Sequence, residues 1–417
     1  MKILHVNTHQ NGGAARAAIR LHEGLCQAGK DSHMMLGYGK RSSKVMIYQQ
    51  SQSLVSRIQR KLKREQISRD FCNYTSSRPS GLEAFSDDRS EYGRDVISQL
   101  PKCDIINLHW TARFLDYGCF FRHTSQPLVW TLHDMNPFTG GCHYAGKCQA
   151  FHDQCGSCPQ LGSAKKNDLS ASIWLRKQKA LSEMSSSLHI VTPSQWLKTQ
   201  VELSRLFKGL PVSVIANGLD TKVFTPRYVT GFKSAIGIPE QAKVVLFAAD
   251  STNNKRKGFS LLLKAVQSIQ LKDEVYFLSM GGGDISNQFS RHVHLGNISN
   301  DILMSVIYSI ADIFVIPSRE DNLPNTVLES MACGTPVIGF NIGGIPDMVS
   351  TGKTGLLVEL ENIQALKESM VYLLENPERL EYMGVQCRQL AEERYDLSVQ
   401  AKHYSSLYES LIDRKCA

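Results

Sequence analysis

Apolar residues along this chain fall into short uninterrupted runs, with stretches of helical spacing between most of them and glycine-rich turns punctuating the order. The first run, Ile3–Val6, leads to a loop ending in Gly12–Gly13. Ala14, Ala17, Ala18, Leu21 and Leu25 then fall on one face of a helix. Ile105–Leu108, Leu128–Leu132 and Ile190–Thr192 have the character of further buried strands. After Ile215 the run Asn217–Gly218–Leu219–Asp220, with Pro226 close behind, is turn chemistry and marks a linker at 217–227. Beyond it strands at Val244–Ala248, Val275–Met280, Ile313–Ile316 and Pro336–Gly339 alternate with helices at Phe259–Ile269, Asp301–Ile310 and Asn325–Ala332. Two rounds of alternation predict an α/β protein with two doubly wound parallel sheets. The expected domains are 1–216 and 228–392, with a last helix at 393–417 returning to the first domain.

A length of 417 residues exceeds one ordinary core and agrees with two domains. Hydrophobic residues make up 42% and charged residues 21%, a globular rather than a disordered composition. The N-terminus turns polar at Thr8–His9–Gln10–Asn11, without the apolar run of a signal peptide. No stretch approaches the roughly 18 apolar residues of a membrane-spanning helix. A cytoplasmic protein is expected, its cysteines reduced or metal-bound rather than paired. Charge is unevenly spread. Of the chain's 47 Lys+Arg and 39 Asp+Glu, residues 1–215 hold 28 and 16, a net of +12, leaving 19 and 23, a net of −4. The two halves therefore suit different partners. No zinc finger, basic zipper or aromatic-interleaved basic run supports nucleic-acid binding.

In doubly wound sheets ligands sit outside the carboxyl ends of the strands, and three segments fall there. Gly12–Gly13 precede the first helix, where glycine lets backbone approach a diphosphate and the helix N-terminus offers unpaired N–H groups. The third glycine of a dinucleotide fingerprint is missing, which disfavours a dehydrogenase. Lys255–Arg256–Lys257–Gly258 joins a strand to a helix, either as a solvated basic turn or with a lysine aimed at a diphosphate. Residues 318–347 carry Asp321 and Glu329 eight apart, bracketing a loop and the first turns of a helix. Carboxylates suit paired sugar hydroxyls, since each oxygen accepts hydrogen bonds.

Taken together, this run resembles the acidic–x7–acidic signature of the retaining family-4 glycosyltransferases, with their small-residue run following at Ala332–Pro336. The resemblance extends in order through Gly12–Gly13, Thr131–Leu132–His133–Asp134, the Asn-Gly-Leu-Asp linker and Lys257–Gly258. It is strongest to bacterial exopolysaccharide, O-antigen and colanic acid transferases, which share the Trp-Thr-Leu-His-Asp segment and the four cysteines after it. It implies the GT-B fold, two Rossmann-like domains facing each other across a cleft, with the acceptor on the first domain and a nucleotide-sugar on the second. By the same resemblance Glu329 binds the ribose hydroxyls, and Asp321 holds hydroxyls of the transferred sugar. Asn322, Leu323, Asn325 and Thr326 approach sugar and phosphates through their backbone, and Lys257 neutralises the diphosphate. His133 stands beside the reacting centre, while His109 either lines the same cleft or is structural. The family arginine five residues before the lysine is replaced by Thr252, with Arg256 and Lys255 as candidate substitutes. Transfer with retention onto a lipid-linked saccharide is implied. No Asp-x-Asp motif occurs, and no cofactor is expected to be required for catalysis. The alternatives are a non-catalytic nucleotide-sugar-binding protein or a sugar-nucleotide epimerase.

Two further patterns stand apart. Cys142, Cys148, Cys155 and Cys158, spaced C-x5-C-x6-C-x2-C, fit a tetrahedral structural zinc site, with reduced buried thiols as the alternative. Residues 53–69 place Leu54, Val55, Ile58, Leu62 and Ile67 at helical spacing among Arg57, Arg60, Lys61, Lys63, Arg64 and Arg69. Such a helix either faces a core or lies on an anionic membrane surface, which would make the protein peripheral on the inner face of the cytoplasmic membrane.

Overall fold

Strands that are apolar throughout have no polar face to offer water and belong inside parallel sheets covered on both sides. The computed structural model, which describes residues 1–267, 274–283 and 291–416, places them so. The chain divides into one unit of Met1–Ile215 with Ala401–Ala417 and a second of Ala216–Gln400.

The first unit contains strands β1 (Lys2–Asn7), β2 (Asp31–Leu36), β3 (Val45–Ile47), β4 (Ile105–Leu108), β5 (Leu128–Thr131), β6 (Leu188–Thr192) and β7 (Val212–Val214). They pair in parallel in the order β3-β2-β1-β4-β5-β6-β7. All four residues of β4 and all four of β5 are buried. The helix Leu397–Cys416 enters this unit from Ala401 onward. Its Tyr404 and Tyr408 pack with Ile3, Leu21, Leu25, Ile105 and Val129. Their hydroxyls meet the buried polar side chains of the central strands. Asn107 Nδ2 donates to Tyr408 Oη at 2.7 Å, and Thr131 Oγ1 lies 2.9 Å from Tyr404 Oη.

The second unit contains β8 (Lys243–Ser251), β9 (Val275–Gly282), β10 (His292–His294), β11 (Ile313–Ile316), β12 (Val337–Phe340) and β13 (Gly355–Val358). They too pair in parallel, in the order β10-β9-β8-β11-β12-β13. Residues 217–227, expected as a linker, lie within this unit. Leu219 and Phe224 are buried in its core, and the Leu219 N–H donates to Tyr395 O at 2.8 Å. Of the expected helix 259–269, Phe259–Gln267 is helical and Ile269 lies outside the described residues.

Both sheets have the doubly wound order, in which the winding reverses between β1 and β4 and between β8 and β11. The carboxyl ends of those strand pairs are where such sheets hold ligands.

Candidate functional site

At the β8/β11 reversal, the single turn Lys255–Lys257 is folded onto the chain that leaves β11. Asn254 starts the turn by accepting the Arg256 N–H at 3.0 Å. Gly258 ends it at φ 70°, with the position of a Cβ only 1.8 Å from Pro317 O, so no other residue fits without moving that strand. The Arg319 N–H then donates to Arg256 O at 2.7 Å.

This docking delivers two cations to one carboxylate. Lys257 Nζ donates to Asp321 Oδ2 at 2.8 Å, and Arg256 Nη1 lies 3.2 Å from the same oxygen. Ser318 Oγ donates to it at 3.3 Å, and the Asn322 N–H reaches Oδ1 at 3.2 Å. Behind Asp321 stands Gly343, at φ 62°, where a Cβ would come within 2.1 Å of Asp321 O. Thr252 is buried and its N–H donates to Gly282 O, and Arg256 is the second cation at the carboxylate.

Burial alone would push the Asp321 carboxyl up. Lys257 first, then Arg256, outweigh it and draw it from 3.8 to about 2. A depressed folded value means stability that is complete above the unfolded value and is lost as pH falls through the folded one. That loss amounts to about 2 kcal/mol between about pH 4 and pH 2. The stability gap between the native protein and Asp321→Asn, measured by denaturant unfolding, should therefore narrow by about that amount over the window. A gap that stays constant would contradict the ion pairing.

Glu329 sits in the helix Asn325–Ala332 and is 1% exposed. It points to neither solvent nor a surface partner: the Tyr308 hydroxyl donates to its Oε2 at 3.1 Å. Asn322 and Leu323 are buried, Leu323 as part of the core, whereas Asn325 and Thr326 are half-buried ahead of Glu329. Asn217 Nδ2 donates to Asn325 Oδ1 at 3.4 Å.

The remaining predicted residues belong to the first unit. Gly12 precedes the helix Gly13–Gln27 in an exposed position with φ 98° and no side-chain cap. His109 and His133 follow β4 and β5 and are joined, His109 Nδ1 lying 3.0 Å from His133 Nε2. His109 also meets His5 of β1, its Nε2 lying 2.9 Å from His5 Nδ1. His5 escaped the sequence-based site list, although a histidine inside Ile3–Val6 interrupts an otherwise apolar strand. Asp134 accepts from Trp110 Nε1 at 2.9 Å and pairs with His143 Nδ1 at 2.6 Å, which orders the loop after β5.

That loop carries the cysteines. Cys142, Cys148, Cys155 and Cys158 are free thiols, the last two buried. The Gly140 N–H donates to Cys155 Sγ at 3.1 Å, and burial pushes the Cys155 thiol up to about 12. Among the described residues no group of three or more His, Cys, Asp or Glu side chains is placed to hold a metal ion. Elemental analysis of fresh protein separates the two, one zinc per chain favouring the metal site and well under one leaving reduced thiols.

The helix Leu54–Cys72 begins where Ser53 accepts the Ser56 N–H. Only Arg60 is buried along it, while Leu54, Val55, Ile58 and Leu62 are 71, 65, 51 and 61% exposed. The apolar stripe is not core-facing. Among the described residues no helix is long and apolar enough to cross a membrane.

Two parallel Rossmann-like sheets, one with a basic turn and buried carboxylates at its reversal point, define a doubly wound α/β protein. Residues 242–376 match the family model described as Glycosyl transferases group 1. Over 201 residues the chain is 24% identical to N-acetyl-alpha-D-glucosaminyl L-malate synthase of Bacillus anthracis. That match takes in 46% of this chain and 52% of the relative, so the similarity spans about half the length of each. In fold the chain is similar to Anabaena HepE solved with UDP-glucose, with TM-score 0.67, 15% identity, and 98% of this chain and 100% of that one covered. It is similar also to WaaG, described as a glycosyltransferase involved in lipopolysaccharide biosynthesis, with TM-score 0.63, 13% identity, and 97% and 99% covered. The shared architecture is the GT-B fold of these glycosyltransferases.

Proposed function

We propose that this protein is a retaining glycosyltransferase that moves a sugar from a nucleotide-sugar to a lipid-linked saccharide in bacterial surface polysaccharide synthesis. The observation that carries the proposal is the cluster of Lys257, Arg256 and Asp321 at the β8/β11 reversal, inside the segment that matches the glycosyltransferase family. Lys257 and Arg256 supply fixed positive charge for a diphosphate, whose negative charge grows as it leaves. Asp321 accepts hydroxyls of the transferred sugar, and Glu329 accepts those of the ribose. Gly12 and Gly13 let a phosphate come close to the N-terminus of the helix Gly13–Gln27, where Gly12 has no side chain to cap it. No side chain is assigned as a covalent nucleophile; the departing phosphate takes the acceptor proton, with departure and attack on one face. Calorimetric titration with nucleoside diphosphates tests the donor site: one of them should bind, and Lys257→Ala should weaken it by about tenfold or more. Equal binding by both proteins would count against the assignment.

The acceptor side carries a separate expectation. The exposed apolar stripe of Leu54–Cys72 runs beside Arg57, Lys61, Arg64 and Arg69, which suits it to lie on an anionic leaflet. Several of its basic groups have acidic neighbours, such as Arg64 with Glu91 at 3.7 Å and Lys63 with Asp116 at 3.7 Å. At 3.7 Å, with the basic partner the more exposed of each pair, these contacts are weak and can give way to lipid headgroups. Co-sedimentation with liposomes should require anionic lipid, fall at high salt, and be lost in Leu54→Asp/Ile58→Asp. Binding indifferent to lipid charge and salt would leave the helix without this role.

A further inference from the structure

A single tight helical turn has few hydrogen bonds of its own, and those poorly aligned. Two backbone bonds close Lys255–Lys257, from the Lys257 N–H to Asn254 O at 3.0 Å and from the Gly258 N–H to Lys255 O at 3.2 Å. Arg319 adds two from outside. Its N–H donates to Arg256 O at 2.7 Å, and its Nη1 donates to Lys255 O at 2.6 Å. Arg256 answers in the other direction, its Nη1 donating to Glu320 O at 2.7 Å. Two guanidinium groups thus lace the turn after β8 to the segment after β11.

The Arg319 side chain is oriented in turn by a third segment. Its Nε donates to Glu361 Oε1, in the loop between β13 and the helix Ile363–Leu374. The Asn362 N–H closes that loop on Glu359 O at 3.1 Å, and Glu361 inside it has φ 63°. A residue with a Cβ takes up that conformation at a cost, and keeps it where the surroundings fix it. Arginine suits the place because its donors point in fixed directions within one plane, so one side chain meets a carbonyl and a carboxylate together. Its charge faces Glu361, whereas those of Lys257 and Arg256 face Asp321.

We infer that Arg319, oriented by Glu361, is a positioning residue that holds the Lys255–Lys257 turn so that Lys257 stays at Asp321, without itself meeting the ligand. The part concerning the ligand rests on the donor site proposed above; the placing of Lys257 does not.

The test without ligand is the rate at which each lysine reacts with a trace of amine-acylating reagent, read by mass spectrometry. Lys257 should react slowly in the native protein and faster by about threefold or more in Arg319→Ala, while lysines of the first unit keep their native rates. Arg319→Lys, which can still reach Lys255 O, should fall between. A native Lys257 rate in folded Arg319→Ala overturns the inference. Should Arg319→Ala fail to fold, Glu361→Gly carries the same measurement, since glycine suits φ 63° and only the carboxylate is lost. With nucleoside diphosphates, Arg319→Ala should weaken binding by about tenfold, but by about threefold or less when added to Lys257→Ala, because the residue it positions is gone. Costs that add in full would make Arg319 a ligand contact and overturn the inference, as would native affinity in Arg319→Ala. No nucleoside diphosphate binding by the native protein would remove the donor site and leave the labelling measurement standing.

Discussion

Lys257→Ala should lower sugar transfer by about two to three orders of magnitude, the usual loss when one charged contact to a developing anion is removed. The size of the effect follows from its position. Gly258 forces the basic turn against Pro317 O, so the lysine is held in place before any ligand arrives. Its Nζ lies 2.8 Å from the buried Asp321 carboxylate, which keeps it at the reversal between β8 and β11. The fold should survive, because Arg256 still pairs with Asp321 at 3.2 Å. Lys257→Arg should recover only part of the activity, since a planar fork does not replace a point charge. Circular dichroism and steady-state kinetics on the same preparations check both halves, and near-native kcat/KM in Lys257→Ala would contradict the role.

Glu329→Gln should cost a similar factor, about a hundredfold or more in kcat/KM, while leaving stability nearly unchanged. Glutamine keeps the shape and still accepts from the Tyr308 hydroxyl, which is 3.1 Å from Glu329 Oε2. What it loses is the negative charge and one acceptor for paired hydroxyls. Glu329→Ala is the less informative variant, because it opens a cavity and leaves Tyr308, 0% exposed, without that acceptor. A Glu329→Gln enzyme with native kinetics would remove Glu329 from the donor site. A loss confined to stability would make it a structural carboxylate.

The strands recognised from sequence are mostly apolar runs at the sheet centres, such as Ile313–Ile316, buried at all four positions. The strands missed include all four sheet edges, β3, β7, β10 and β13, each only three or four residues long and mostly half-buried. An edge strand is paired on one side, so nothing demands a continuous apolar run from it. β2 was hidden for another reason: Asp31, Ser32 and His33 open it. The turn expected at 217–220 comes just after it, with the Val223 and Phe224 N–H groups on Asp220 O, while Leu219 bridges to Asp396 and bonds Tyr395 and Leu397 of its own unit, a long-range contact that composition cannot announce. At the site, spacing brought out Asp321 and Glu329, and the resemblance to family-4 glycosyltransferases added Lys257. It gave no sign that Asp321 is bound to both Lys257 and Arg256, because residues 64 and 65 positions away meet only through the parallel sheet. His5 could have been suspected from its place inside an apolar strand, whereas its bond to His109 spans 104 positions.

The central claim is sugar transfer from a nucleotide donor, and the most direct measurement uses radiolabelled nucleotide-sugars with purified protein and a lipid extract from bacterial membranes. The account predicts that label from one donor enters the organic-soluble fraction, that the product keeps the donor's anomeric configuration by NMR, and that Lys257→Ala abolishes nearly all of it. Label released only as free sugar, or no transfer from any donor while nucleoside diphosphate still binds, would contradict it and favour a binding protein on the same fold.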